Sequence, residues 1–281
     1  MAEKANTAPQ RIVVTGDERG LNLDLRELWA YRELLYFFAW REVKVRYKQT
    51  AIGIVWVLLQ PLLTMLIFTL VFNYFLSIQP TGDVPYPVFI LVAIIHWKYF
   101  SDAITRAGTS LVGNAQLVSK VYFPRLIMPL AAVVTPLVDF ALAFLVLLVM
   151  MPLFGVWPDA RIVFIIPLLA YAVLTALAVS LWLSALNVRY RDVNYVIPFL
   201  VQIWMYLTPV MYPIELVPER LRPLYSINPM VGVVEGARWS LLGTERVETL
   251  AIAIGLAGVM IVFVSGLVFF KRAERTFADV I

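Results

Sequence analysis

The chain has no cysteine and a single histidine, His96. The first absence excludes disulfides, thiolate metal sites and cysteine nucleophiles. No G-x-x-x-x-G-K-S/T loop occurs, so the chain lacks the usual means of binding and hydrolysing ATP. H-E-x-x-H and G-x-S-x-G are absent too, and no nucleophile–base pair or cluster of acids suits catalysis. An enzyme is therefore not expected, nor a metal site. Charge is scarce: Asp, Glu, Lys and Arg make up 15% of 281 residues, with a net charge of +4. That small excess points to membrane topology rather than nucleic-acid binding. The polar N-terminus (Glu3, Lys4, Asn6, Arg11, Asp17, Glu18, Arg19) holds no short apolar core with a small-residue cleavage site. A cleaved signal peptide is not expected.

What the chain has is apolar length. Hydrophobic residues make up 61% and the mean hydropathy is +0.81, far from the balance of a soluble domain. Six stretches stand out: Ala51–Ile78, Val88–Val112, Leu126–Phe154, Ile162–Val188, Val193–Met211 and Glu248–Phe270. About 20 apolar residues cross a bilayer as a helix, and only helices or closed barrels can hide their backbone polar groups there. The fold class is thus all-α and polytopic, with six transmembrane helices and little chain left for a second domain. Lys and Arg flank alternate loops: Arg41, Lys44, Arg46 and Lys48 before the first span, Lys120 and Arg125 after the second, Arg189 and Arg191 after the fourth, and Lys271, Arg272 and Arg275 after the sixth. The 79–87 loop has none and the next only Arg161. This bias predicts both termini in the cytoplasm.

Within that frame, Arg11–Leu25 reads equally as a weak hairpin around a Gly16–Gly20 turn or as a disordered arm. In Arg26–Lys48, a helix places Tyr36, Trp40, Val43 and Tyr47 on one stripe and Leu34, Phe38 and Val45 nearly opposite. Such an element suits the bilayer interface, either as a plain anchor or with a further role. Gln60-Pro61 predicts a kink in the first span, with Gln60 facing a pathway or merely a bend. In the second span, Lys98, Asp102 and Arg106 recur every fourth residue and predict a ladder of charge on one face. Asp139 lies in the third span with no local partner, so pairing with Lys98 or His96 is expected, ahead of a proton relay. Pro213–Thr244 is too polar to span. Pro218–Tyr225 reads as one short helix, and Asn228-Pro229 opens a second that stops near Gly243. Such short helices suit a re-entrant or interfacial segment, or a simple cap.

Three stretches carry a family resemblance. The first runs from Arg32-Glu33-Leu34-Leu35 through Trp40-Arg41-Glu42-Val43-Lys44-Val45-Arg46-Tyr47-Lys48-Gln49-Thr50 to Gly53, Trp56 and Gln60-Pro61. The second comprises Asn114, Leu117, Val118, Lys120-Val121-Tyr122-Phe123-Pro124-Arg125, Pro129-Leu130 and Val138-Asp139-Phe140. The third holds Asn187-Val188-Arg189-Tyr190-Arg191-Asp192, Pro209-Val210, Tyr212-Pro213, Asn228-Pro229-Met230 and Glu235-Gly236-Ala237-Arg238-Trp239. In this order they resemble the membrane subunit of ABC-2 type exporters, most closely the polysaccharide branch of O-antigen, capsule and teichoic-acid permeases. His96 and Lys98 depart from the family pattern, where Pro and an uncharged polar residue are more frequent.

The resemblance implies a homodimeric inner-membrane permease with two copies of a separate ATPase subunit, which carry the ATP and Mg. No cofactor is expected in this chain. The implied layout is a cytoplasmic arm (1–25), an interface helix (26–50), a six-span domain (51–270) with a re-entrant segment (213–246), and a cytoplasmic tail (271–281). Asn114, Lys120, Tyr122, Phe123 and Arg125 would form the coupling element, with Arg189, Arg191 and Asp192 a second contact. Trp40, Arg41, Lys44, Arg46 and Lys48 would guard the entrance for a pyrophosphate-linked head group, whose oxygens accept charge-assisted hydrogen bonds. Gln60, Tyr74, Trp204, Tyr206 and Tyr212 are channel candidates, and Asn228, Pro229, Glu235 and Arg238 belong to the implied gate. The implied cargo is a lipid-linked O antigen; another glycan, a drug or a lipid would use the same fold. A gradient-driven transporter would tend to show internal repeats, and none is visible.

Overall fold

The computed structural model describes residues 25–48, 53–80, 82–245 and 248–277. Among them every regular element is a helix. The hairpin expected over 11–25 lies outside the described residues except for Leu25, as do Gln49, Thr50 and Arg246.

A short α1 (Leu25–Ala30) leads into α2 (Arg32–Lys48). The first span is α3 (Gly53–Phe68), prolonged by a π-helical stretch over Thr69–Phe75. Pro61 sits inside α3 without ending it, and the hydroxyls of Thr64 and Thr69 donate back to the carbonyls of Gln60 and Met65 at 2.9 and 2.7 Å. Then come α4 (Tyr86–Gly113) and the short α5 (Ala115–Lys120). The third span comprises α6 (Ile127–Val134) and α7 (Pro136–Leu153), joined through Thr135, which keeps helical dihedrals and donates its amide to the Ala131 carbonyl. There follow α8 (Ile165–Arg189), α9 (Val193–Tyr206), α10 (Arg222–Ile227), α11 (Pro229–Leu242) and α12 (Thr249–Glu274).

Among the described residues, five helical segments are long and apolar enough to cross a membrane: Val55–Phe75, Tyr86–Gly113, Ile127–Leu153, Ala160–Arg189 and Thr249–Glu274. The fifth of the six expected runs behaves differently. Its helix, α9, has only 14 residues, about 21 Å, and the chain turns at Leu207–Met211. The sequence around Asn228 acts as expected. Its side chain accepts from the Met230 amide, Pro229 takes the first turn, and Gly243 closes α11 in the left-handed region (φ 73°). The other short helix begins as a 3-10 turn at Glu219–Leu221 and continues as α10.

α4 is the hub. From Val88 to Ala107 most of its side chains are buried, packed against α6, α7, α8 and α11. α8 and α12 approach closely because Gly266 lies under Trp182: a methyl there would stand 2.8 Å from Trp182 Cδ1. By contrast Val55, Trp56, Leu59, Leu63, Leu66 and Ile67 on α3, and Leu70 on its π-helical extension, face outward, toward lipid or another protein chain. A second, smaller core gathers Phe38, Leu111, Val118, Phe123, Leu126, Phe270 and Phe277 at the end of the bundle that carries α2 and α5.

Candidate functional site

At the α2 end, polar ties fasten the interface helix to the bundle. Arg41 Nη2 donates to Asn114 Oδ1 (2.9 Å), and Asn114 Nδ2 donates to the Ser110 carbonyl (2.9 Å). Glu42 faces Arg106 at 4.0 Å. Arg46 and the Tyr47 hydroxyl both donate to the Asp139 carboxylate. Burial and that carboxylate push the Tyr47 phenol above its usual range, so it remains a donor. Lys44 and Lys48 are exposed, as is Trp40, which stacks on Tyr36 with ring centroids 6.4 Å apart.

This corrects the expected pairing. Asp139 meets neither Lys98 nor His96. Lys98 is taken by Asp102 one turn along α4 (3.1 Å). His96 is wholly buried, its Nδ1 on the Val92 carbonyl (2.7 Å) and its ring edge-on to Phe140. Asp139 lies one turn beyond Thr135-Pro136 on α7, where Arg46 and Tyr47 of α2 reach it. The charge ladder keeps its Lys98–Asp102 rung, while Arg106 turns to Glu42. The stripe Tyr36, Trp40, Val43, Tyr47 is split likewise. Tyr36 and Trp40 stay outside and Tyr47 turns inward, while Phe38 is buried from the opposite side.

The expected coupling residues divide in two. Lys120 and Tyr122 project outward, and so do Arg191, Asp192 and Arg189, whose guanidinium lies 5.5 Å from the Tyr190 ring centroid. Asn187 donates to the Gly108 carbonyl (2.8 Å), fastening the α8 terminus to α4. Phe123 is instead buried against Phe38, and Arg125 is engaged by the end of α12: its backbone N–H meets Glu274 Oε1 (3.1 Å) and its guanidinium the Glu274 carbonyl (3.0 Å). The sequence carried no sign of Glu274 or Phe277, since nothing local marks a contact spanning 149 residues.

At the α11 end, Arg238 is fully buried. Its Nη1 donates to Glu235 Oε1 (2.6 Å) and the Pro209 carbonyl (2.7 Å), its Nη2 to the Val210 carbonyl (2.9 Å), and its Cζ lies 3.5 Å from the Phe89 ring centroid. Asn228 accepts from Trp204 Nε1 (2.9 Å) and donates to Thr208 Oγ1 (3.0 Å). Glu235, Arg238 and Asn228 thus bind α11 to the turn after α9. Of the channel candidates, Trp204 is held by that network and by Phe100, and Tyr212 bonds the Tyr206 carbonyl (2.9 Å) and the Tyr225 hydroxyl (3.0 Å). Tyr74 and Tyr206 project outward and Gln60 is half-buried. Among the described residues no three His, Asp or Glu side chains converge to hold a metal.

The profile of the ABC-2 type transporter family matches residues 33–242. The chain belongs to the ABC-2 type transporters. It is 31% identical over 257 residues to the O-antigen export system permease protein RfbA of Myxococcus xanthus, covering 89% of this chain and 96% of that one. A relative of the same name from Klebsiella pneumoniae is 28% identical over 89% and 95%. The polysialic acid transport protein KpsM of Escherichia coli is 22% identical over 84% and 91%. As an ABC-2 type chain it is a multi-pass membrane subunit of a transporter. The matched residues take in most of α2 and everything from α3 to α11, and end before α12.

Proposed function

We propose that this chain is the transmembrane subunit of an ATP-driven exporter of O-antigen polysaccharide. It works as a homodimer with two ATP-binding subunits and moves a lipid-linked, undecaprenyl-pyrophosphate glycan across the bacterial inner membrane. The observation that carries the reading is the relative named an O-antigen export permease, 31% identical across nearly both full lengths. Both termini lie in the cytoplasm and α9 with its following turn completes a six-span domain; the alternation of Lys and Arg among the loops supports that orientation. The exposed Lys120, Tyr122, Arg189, Arg191 and Asp192 are the docking face for the ATPase. The apolar, outward-facing sides of α3 and α9 suit a second copy. The exposed Lys44 and Lys48 beside Arg41 and Trp40 suit a phosphate-bearing head group at the cytoplasmic entrance.

The experiment is depletion of the chain in its host, followed by assay of surface polysaccharide and of lipid-linked glycan inside. The expected result is loss from the surface with accumulation inside. Unaltered surface glycan would discard the substrate and leave an ABC-2 exporter of other cargo.

A further inference from the structure

Arg125 stands in the segment that an ATPase would press, yet its bonds run inward to α12. Its guanidinium donates to the main-chain carbonyl of Glu274, the last residue of α12, and its backbone N–H to that residue's carboxylate. A guanidinium there satisfies an orphan carbonyl and meets the negative end of the helix dipole. Lys271 completes the arrangement at 2.9 Å from Glu274 Oε2. Three residues on, Phe277 turns back, 1% exposed, and packs edge-on against Phe270 at 5.4 Å. Both rings belong to the small core that also holds Val118, Phe123 and Leu126. The tail of α12 and the 115–126 segment therefore share one hydrophobic cluster and a set of charge-assisted bonds.

The opposite end of α12 is held as closely. At Gly255 a methyl would stand 2.5 Å from the Tyr171 hydroxyl of α8, 3.3 Å from the Ser226 carbonyl oxygen and 3.7 Å from Pro229 Cα. There α12 lies almost backbone to backbone against the junction of α10 and α11. α12 is 26 unbroken residues without proline, and from Gly255 to Glu274 it runs about 29 Å. An uninterrupted helix bends only gently over such a length.

We infer that α12 is a lever: Glu274 and Phe277 are positioning residues that clamp the 115–126 segment to its base, and α12 carries displacement of that segment to α10 and α11. This rests on the reading above, that an ATPase docks on Lys120 and Tyr122 and so presses the segment that holds them, and names residues beyond the family match. A lever is demonstrated only by coupling between its two ends.

The test uses the complete permease–ATPase complex in lipid nanodiscs. Because the chain has no cysteine, Leu224→Cys on the exposed face of α10 takes a single nitroxide label, and its spectrum and accessibility are followed with and without ATP. The unaltered lever should show an ATP-dependent change. Glu274→Ala with Phe277→Ala should hydrolyse ATP yet show a label response lower by about tenfold. Glu274→Gln, which keeps the acceptor for the Arg125 N–H, should retain most of the response. A full response in the double variant overturns the lever. If that variant does not assemble, Gly255→Ala decides. It leaves the α5 clamp intact and, although its methyl must displace the Tyr171 hydroxyl, should lower the response with hydrolysis unchanged, whereas Tyr171→Phe, which removes that hydroxyl alone, should not; a full response in Gly255→Ala overturns the inference. Absence of any ATP response in the unaltered complex, with surface glycan export intact, overturns the lever alone; absence of both overturns the functional reading as well.

Discussion

Arg238 and Arg46 each pair with a carboxylate, at opposite ends of the bundle, under opposite conditions. Arg238 is 0% exposed, with two backbone carbonyls and an aromatic face around it. Arg46 keeps 27% of its side chain exposed, and its partner Asp139 is shared with Tyr47. Desolvating a charge costs several kcal/mol unless hydrogen bonds replace its water. At the α11 end the backbone supplies those bonds, so the charge acts as a strut fixing α11 to the turn after α9. At the α2 end Arg46 stays partly exposed and the carboxylate has two side-chain donors, so exchanging partners there costs less. The contrast separates a fixed framework at the α11 end from a more loosely held junction at the α2 end.

The largest expected effect comes from removing the strut. Arg238→Met leaves Glu235 buried without its partner and two carbonyls unsatisfied, at a cost of about 3–5 kcal/mol. Thermal unfolding in detergent measures it; an unchanged midpoint would dissolve the contrast. A smaller effect is expected at the junction. Asp139→Asn keeps an acceptor for Tyr47 but loses the charge facing Arg46, at a cost of about 1–3 kcal/mol. The loss should appear as faster amide exchange across 36–48 with little change at 229–242, and equal change in both segments would sink the distinction. The smallest effect on stability belongs to the exposed surface. Lys120→Glu should alter stability by less than about 0.5 kcal/mol, yet lower ATP-linked transport. Arg125→Glu should destabilise as well, because its side chain is bound to Glu274. Identical behaviour of the two would show that exposure does not separate them.

Much of this was legible in advance where the physics is local. The Asn228-Pro229 start, the Gly243 stop and the run of each long apolar helix follow from capping and hydropathy within a few residues. The partner of Asp139 was not legible, because it lies 93 residues away on a helix whose stripe reads as pure interface. Lys98 and His96 were plausible partners in span position alone. The i,i+4 bond of Lys98 to Asp102 and the bond of His96 to the Val92 carbonyl removed them. Arg125 and Phe123 share a motif with Lys120 and Tyr122, and nothing in that motif says which side chains turn inward.

The sequence by itself determined that this is a helical membrane body. Apolar runs of bilayer length are properties of composition and order. Only the tertiary structure decided which charges are struts, which are releasable ties and which are surface. A buried ion must find its compensating bonds in three dimensions. For Arg238 those bonds come from carbonyls exposed by the turn after α9, and for Arg125 from the final carbonyl of α12. No local pattern encodes an acceptor that exists only because another helix ends beside it.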